Sequence, residues 1–575
     1  MNQEIKNLYM AIILSIFIIF VYSKYNEKKI ENAGAVTVDN VSENNKNDKA
    51  ADSTAIGAKT ENVIPVLEHI SNIDESKEPR VAIKGDKVIG SIRLRGARID
   101  DVVLAKYKET IEKDSPDVRL FEKTGSEKPY YAEFGWISSD GEQTVKLPSS
   151  STLWQADKTE LIPNGKVVLK WDNGEGLIFS KTIELDDKYL FKITETVKNN
   201  TNRTLKLHHY GLISRTGHPE AARGAVHDGP VGFLNDKLEE HRYGDLIKSG
   251  KEVFSTKGGW IGITDRFWLS ALSFDNNIEN VTARFVANET PKGEKYQADY
   301  LLPEIVINQG EEKSSSGMLF AGAKEVRTLD YYRNKVGIAK FDLAIDFGWY
   351  YFLTKPFFFV LEFLYNLIGN MGLAILVFAT ILRGAMVPIA TASNVSMAKM
   401  KKLQPKVAEI QEKFKEDKIK AQQELMALYK KERVNPAAGC LPVLIQIPVF
   451  FSLYKVLNIS IEIRHAPFYG WIRDLSAPDP SSVFTCFGML DWPIPAFFNI
   501  GILPLIMGVT MVMQQKLNPK PTDKSQAMMM KYMPYFFTFL LGNFASGLVI
   551  YWTWSNIFSI IQQRLIMKKM GVSVS

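Results

Sequence analysis

The 575-residue sequence predicts a multidomain protein: a polytopic α-helical membrane core, a separate all-β domain and a basic helical hairpin. Three observations carry this prediction. Several apolar runs approach the roughly 20 residues that one helix needs to cross a hydrocarbon core. A long central region instead alternates apolar and polar positions between turn residues, the period of half-buried strands. The mean hydropathy is −0.09 with 46% apolar and 23% charged residues, too low for a chain of membrane helices alone and too apolar for a disordered one. The formal charge of +6 is modest, and no specific DNA binding is expected of it. Two cysteines, Cys440 and Cys486, leave neither a disulfide framework nor a zinc cluster, and no metal or cofactor is expected. The sequence has no Walker-type phosphate loop, G-x-G-x-x-G, H-E-x-x-H or G-x-S-x-G, which argues against an energy-coupling nucleotide site or a standard hydrolase.

Residues 1–23 read as a transmembrane anchor, with Asn7–Ser23 uncharged between Lys6 and Lys24. A small-x-small triplet, Ala33-Gly34-Ala35, lies too far beyond the apolar run for an ordinary cleavage site, so the anchor reads as uncleaved. Residues 24–75 mix Asn, Lys, Glu, Asp, Ser and Ala with few apolar positions and read as a flexible tether. Residues 76–335 read as the β-domain. There Val167–Trp171 and Leu177–Leu185 flank Asp172-Asn173-Gly174 as a hairpin. Tyr189, Phe191, Ile193 and Val197 fall on one face of the next strand and Lys192, Thr194 and Thr196 on the other. Asn199-Asn200-Thr201-Asn202 then turns the chain into Leu205, Leu207 and His209. Strands in such a series predict an antiparallel sandwich of roughly 250 residues.

Residues 341–367 combine Trp349, Tyr350, Tyr351, Phe352 and Phe357–Phe359 with scattered charges, the composition of an amphipathic helix lying among headgroups. Membrane helices are expected at 370–391, 437–460, 495–515, 528–544 and 546–567. The last two divide Tyr532–Gln563, 32 uncharged residues that turn near Gly542-Asn543 and Ser546-Gly547. Loops occupy 392–436, 461–494 and 516–527, and 568–575 form a tail. Residues 392–436 hold 11 Lys/Arg against 6 Asp/Glu, whereas Ile461–Phe484 has only Arg464 and Arg473. Lys516, Lys520 and Lys524 mark the short loop, and Arg564, Lys568 and Lys569 the C-terminus. The positive-inside rule puts 392–436, 516–527 and the C-terminus in the cytoplasm. By parity the N-terminus is cytoplasmic too, and the β-domain lies outside. Lys24, Lys28 and Lys29 oppose this assignment, and the concordant loops outweigh them. Cys440 and Cys486 then lie near opposite membrane faces and cannot pair.

Arg383 is the most informative residue, because a charge inside an apolar span costs roughly 2.5–3.5 kcal/mol on insertion scales. No Asp or Glu occurs in 371–390, 437–459, 495–515 or 532–563, so it has no acidic partner within the spans. It must meet water, lipid phosphate or a visiting acid. Counted at 1.5 Å per helical residue, Gln446, Thr510, Thr538, Ser555 and Asn556 fall at a depth similar to that of Arg383, roughly 9–13 Å from the inner ends of their helices. If they converge they line a wet cavity open to the cytoplasm; scattered helix–helix hydrogen bonds are the alternative. In the cytoplasmic loop Met397, Met400, Leu403, Val407, Ile410 and Phe414 form one helical stripe, and Ile419, Leu425, Met426 and Tyr429 a return stripe. A helical hairpin with basic outer faces follows. Those faces carry Lys399, Lys401, Lys402, Lys406, Lys413, Lys430, Lys431 and Arg433, either simply solvated or contacting ribosomal RNA or a targeting factor. Methionines at 507, 511, 513, 528–530 and 533 suit an adaptable apolar surface or plain membrane core. The β-domain histidines 208, 209, 218, 227 and 241 are not spaced as a metal site.

From Phe341 onward a series of motifs resembles the YidC/Oxa/Alb family of membrane protein insertases. They are Ile381-Leu382-Arg383-Gly384, Ser396-Met397-Ala398-Lys399-Met400, Leu403-Gln404-Pro405-Lys406, Val434-Asn435-Pro436 and Cys440-Leu441-Pro442. Ile445-Gln446-Ile447-Pro448, Ser546-Gly547-Leu548, Ser555-Asn556 and Ile560-Ile561-Gln562-Gln563 complete the series, in order over about 230 residues. The large outer domain and the anchor resemble the Gram-negative bacterial form. The resemblance implies an inner-membrane protein with five core helices enclosing a hydrophilic groove, and a periplasmic β-supersandwich similar to sugar mutarotases. It implies that Arg383 is the groove arginine and that the hairpin is needed for insertion; with the depth count, Thr380, Gln446, Thr510, Thr538, Tyr551, Trp552, Ser555 and Asn556 are expected to line the groove beside it. Short apolar stretches at Pro495–Val512 and Met533–Leu541 are expected to thin the bilayer. The implied partners are nascent membrane proteins, the Sec translocon, the ribosome and signal-recognition machinery, and membrane lipids. The chain departs from the family in four places. Ala379 stands where relatives can carry Thr, with Thr380 beside it. Trp552, next to Tyr551, stands where an aromatic touches substrate. Leu490–Pro495 adds a stretch, and the tail stops at Ser575 without a long basic extension, leaving ribosome contact to the loops. The expected function is insertase and membrane chaperone rather than enzyme; a solute transporter and a membrane-anchored carbohydrate-modifying enzyme are the alternatives.

Overall fold

The computed structural model describes residues 78–139, 145–219, 226–432, 434, 441–483, 485, 500–518 and 524–571. The anchor and tether expected at 1–75, Arg433 and both cysteines lie outside these residues. The β-domain spans Arg80–Ala323 in two sheets, one of eleven and one of nine strands, almost entirely antiparallel. The first is built around Tyr130–Ser138, Leu205–Thr216 and Gly293–Leu301, the second around Leu190–Asn199 and Glu312–Ala323. Glycine lets the layers approach: a Cβ at Gly317 of the second sheet would overlap Tyr300 of the first and crowd Phe134.

Local chemistry explains the strands. Gly165–Asp172 pairs with Leu177–Leu185, Val167 opposite Ile183 and Trp171 opposite Phe179. The Asn173 Oδ1 closes the turn by accepting from Glu175 N at 2.8 Å and Leu177 N at 3.0 Å, with Gly174 at φ +75°. Tyr189, Phe191, Ile193 and Val197 are all fully buried, and Lys192 on the opposite face is exposed. The histidines of this region do structural work: His208 Nδ1 lies 2.9 Å from Leu302 O, and His209 Nε2 lies 3.1 Å from Glu195.

Two short helices, α1 (Tyr243–Ser249) and α2 (Val326–Tyr331), precede the helical C-terminal region. That region contains α3 (Tyr351–Ile368), α4 (Met371–Ala385), α5 (Val387–Lys413), α6 (Lys418–Lys431), α7 (Leu441–Ile459), α8 (Ile502–Leu517), α9 (Lys524–Leu541) and α10 (Ser546–Lys569). Among the described residues α3 alone is long and apolar enough to cross a membrane by length and composition; α4 and α5 pass together, bent by 65°. The bend falls at Met386, two residues before Pro388. α10 is the hub and packs on α4, α5, α7 and α8.

The loop after α7 ties the helix ends together on the β-domain side. Leu475 O and Ala477 O accept from Gly547 N and Ser546 N at the start of α10. Asp479 Oδ2 accepts from Leu503 N at 2.8 Å and Ser481 Oγ from Ile502 N at 3.1 Å, capping α8. Phe468 packs so closely on Gly372 that a Cβ there would overlap its ring, which places the loop over the start of α4. Four helix ends therefore share one level.

Candidate functional site

Arg383 stands twelve residues into α4, ~18 Å from that level, and Gln446 thirteen residues before the end of α7, ~20 Å from it. Tyr551 and Ser555, one turn apart on α10, face the same centre. Gln446 Nε2 donates to the Tyr551 hydroxyl at 2.6 Å, and the Arg383 guanidinium is close enough to act electrostatically on that hydroxyl. Arg383 Nε and Gln446 Oε1 are both buried without a hydrogen bond. Ser555 Oγ, also buried, lies beside the Tyr551 hydroxyl without a hydrogen bond of good geometry. No acidic side chain pairs with Arg383 among the described residues. The arrangement is a polar centre that keeps one cation and several unsatisfied atoms inside a helical bundle, where each such atom costs free energy unless water or a ligand reaches it.

The other expected residues separate into neighbouring groups. Asn556 Nδ2 donates to Thr510 Oγ1 at 3.0 Å on the adjacent face of α10. Thr538 Oγ1 bonds back to Pro534 O at 2.8 Å, against Gly508. Trp552 packs edge-on to Phe450 at 4.9 Å and near Phe537 at 6.3 Å, turned away from the Arg383 face. Thr380 is exposed and accepts from Trp554 Nε1 at 2.9 Å, on the outside of the bundle. Two polar residues of the Ile560-Ile561-Gln562-Gln563 motif, not expected at the site, join it. Gln562 Nε2 reaches Thr391 Oγ1 at 3.3 Å, and Gln563 Nε2 reaches Asn518 Oδ1 at 3.1 Å. Their signal was available, since Gln562 follows Tyr551 by eleven residues, three helical turns, and so shares its face.

On the hairpin, Lys399, Lys402, Lys406, Lys413, Lys430 and Lys431 are exposed, with Lys406 paired to Glu432 at 3.2 Å. Lys401 differs: its Nζ is buried without a hydrogen bond. The expected return stripe is only partly turned inward. Leu425 and Tyr429 are half-buried, but Ile419 and Met426 are 74% and 56% exposed.

Residues 363–572 match the family model for the 60Kd inner membrane protein, and residues 80–360 that for the YidC periplasmic domain. A relative from Beijerinckia indica named membrane protein insertase YidC is 44% identical, over 100% of this chain and 97% of its own length. Its namesake in Rickettsia bellii is 43% identical over 99% of this chain and all of its own. A solved structure titled as an active YidC insertase covers 84% of this chain and 94% of its own at 19% identity, with a TM-score of 0.35. The chain belongs to the YidC family of membrane protein insertases, inner-membrane proteins with a β-rich periplasmic domain and a helical C-terminal region.

Proposed function

We propose that this chain inserts nascent membrane proteins by drawing a short polar segment to the Arg383 centre while the substrate's apolar helix moves along the bundle into lipid. The observation that carries the reading is Arg383 itself, a cation in an apolar helix whose Nε is buried and unbonded, near the unsatisfied Gln446 Oε1. Water held by Gln446, Tyr551 and Ser555, with Thr510, Thr538 and Asn556 behind them, lowers the cost of moving polar groups across an apolar layer. Trp552 and its aromatic neighbours offer the substrate helix an apolar path. α8 has 16 residues, ~24 Å of helix against a hydrocarbon core of roughly 30 Å, which supports a locally thinned bilayer. Burial of the substrate helix, and the membrane potential acting on its charges, supply the driving force.

The topology that fits has both termini and the α5–α6 hairpin in the cytoplasm, where the exposed lysines meet the ribosome and its targeting machinery; the Sec translocon is a lateral partner. The five spans of 370–391, 437–460, 495–515, 528–544 and 546–567 form the core, with a sixth at 1–23. α3 lies in the interface. Lys355 and Glu362, seven residues apart on α3, each pair with the α2 segment, through Asp330 at 2.7 Å and Arg327 at 2.6 Å. A helix running away into the bilayer would lose one of these ties.

A photo-crosslinking residue at Gln446 or Trp552, presented with stalled ribosomes carrying a short membrane-protein chain, should capture the nascent apolar segment. Labelling of lipid or small solutes alone would instead favour a transporter. Arg383→Glu should slow insertion of substrates with acidic tails about tenfold and leave neutral tails little changed; equal insertion of both would remove the electrostatic role.

A further inference from the structure

Where the periplasmic domain meets the helices, a cavity of about 710 Å³ opens between the Arg266-Phe267 turn, the end of α7, the loop at 464–478 and the Asn543–Ala545 turn. Its chemistry is cationic. Arg266 donates from Nε to Asn458 O at 2.7 Å and from Nη2 to Asn458 Oδ1 at 3.2 Å. Arg464 donates from Nη2 to Glu109 O at 2.9 Å. Neither guanidinium forms an ion pair with a carboxylate among the described residues. The acid lining the cavity is Asp474, and its Oδ1 is already occupied by His465 N at 3.2 Å, Ser476 N at 2.8 Å and Ser476 Oγ at 2.7 Å.

Both arginines stack on the ring of Phe267, at 4.7 Å and 5.8 Å from its centroid, and Arg464 also on Trp268 at 5.3 Å. Contact with one aromatic ring holds both guanidiniums at the same wall of the cavity although their charges repel. Burial disfavours the cation on Arg464, Asp474 offsets part of that, and Arg266's charge adds to it, so a bound anion would relieve both arginines. Two guanidiniums lining one cavity can together grip a phosphate by charge-assisted hydrogen bonds. The lining itself holds two cations and one carboxylate, while Asp228 acts on Arg266 and Glu109 on Arg464 from outside it; a singly charged phosphodiester suits such a site better than a more highly charged anion.

The cavity's level identifies the source of that phosphate. The loop that lines it also covers the start of α4 and caps α10, so the cavity sits where the helices leave the bilayer. Tyr454 and Phe544 supply its apolar wall, and the same loop exposes Tyr469 (61%) and Trp471 (43%), the aromatic types enriched at headgroup depth. We propose that this cavity binds the phosphate headgroup of an anionic phospholipid of the outer leaflet, gripped by Arg266 and Arg464, and so seats the periplasmic domain on the membrane.

The test uses the purified full-length protein in detergent with dioctanoyl phosphatidylglycerol, read by native mass spectrometry. Wild type should retain one lipid tightly. Arg464→Gln and Arg266→Gln should each weaken retention at least fivefold, Arg464→Lys less, and Arg473→Gln, an exposed arginine on the same loop but outside the cavity, not at all. Dioctanoyl phosphatidylcholine should bind several-fold more weakly. Should the glutamine variants fail to fold, the unaltered protein labelled with a photoreactive phosphatidylglycerol headgroup gives the answer, with adducts expected on peptides 264–268 and 464–477. Adducts scattered elsewhere, or retention indifferent to both arginines, overturns the proposal. Displacement of the lipid by millimolar inorganic phosphate would reassign the site to a soluble anion, and displacement by an acidic peptide to a polypeptide.

Discussion

Glu462 follows the end of α7 and meets the periplasmic domain through the Val326 amide, which donates to its Oε1 at 3.1 Å. Its Oε2 is buried with no hydrogen bond. Burial, beside the charges of Glu325 and Glu362, pushes its carboxyl up to about 7. Those neighbours have cations of their own, Lys87 on Glu325 and Arg327 on Glu362, while Glu462 has none among the described residues. A raised value means that the folded state holds the proton more tightly than the unfolded one, whose Glu titrates near ~4.3. The contribution to stability is therefore full below about pH 4 and is lost as pH rises through about 7. Glu462→Gln should stabilise the protein by about 1–3 kcal/mol at pH 8 and hardly at all near pH 4, read as Tm against pH. A gain equal at both pH values would mean that this carboxyl does not titrate between them.

Packing between elements turns on small residues that hydropathy does not register. Gly508 of α8 faces Thr538 of α9 so closely that a Cβ would overlap the Thr538 Oγ1. Gly508→Ala should cost about 1–3 kcal/mol. The double variant with Thr538→Ala should regain most of it, because deleting the hydroxyl reopens the space. If the double variant is no better than the single, the contact is not what α8 and α9 share. The same distinction divides what was legible in the sequence from what was not. The Asn173 hairpin was legible because its turn chemistry and alternation are local, whereas the packing of Gly317 under Tyr300 joins distant strands. Arg383, Gln446 and Ser555 stood out as polar groups in apolar runs, whereas Tyr551 entered only through the family resemblance. The rotation that turns Trp552 toward Phe450 and Thr380 toward Trp554 depends on neighbouring helices. The bend at Met386 was hidden because a hydropathy window reads composition, although Pro388 disfavours helix at Val387 before it.

At the scale of the whole molecule, two sets of contacts hold the periplasmic domain to the helices. One comes from the sheets and their loops: Arg266 on Asn458, and Arg464 on the Glu109 carbonyl. The other comes from the segment that leaves the second sheet. There Val326 N serves Glu462, Arg327 pairs with Glu362, Lys355 pairs with Asp330 and Asp342, and Lys455 of α7 pairs with Asp346. None of the residues around Arg383 belongs to the β-domain. Deleting residues 80–320 removes the first set and leaves the second intact, so insertion of a small single-span substrate should continue at a comparable rate. Extending the deletion through 346 strips Lys355, Glu362 and Lys455 of their partners where α3 and α7 meet the membrane surface. Charges left unpaired while still partly desolvated cost about 1–3 kcal/mol each, and α3 loses its docking. Insertion should then fall at least tenfold, measured by protease protection in cells depleted of their own copy. Equal failure of both deletions would mean that the sheets themselves take part in insertion, and that the collar of residues 326–346 is not what couples the two halves.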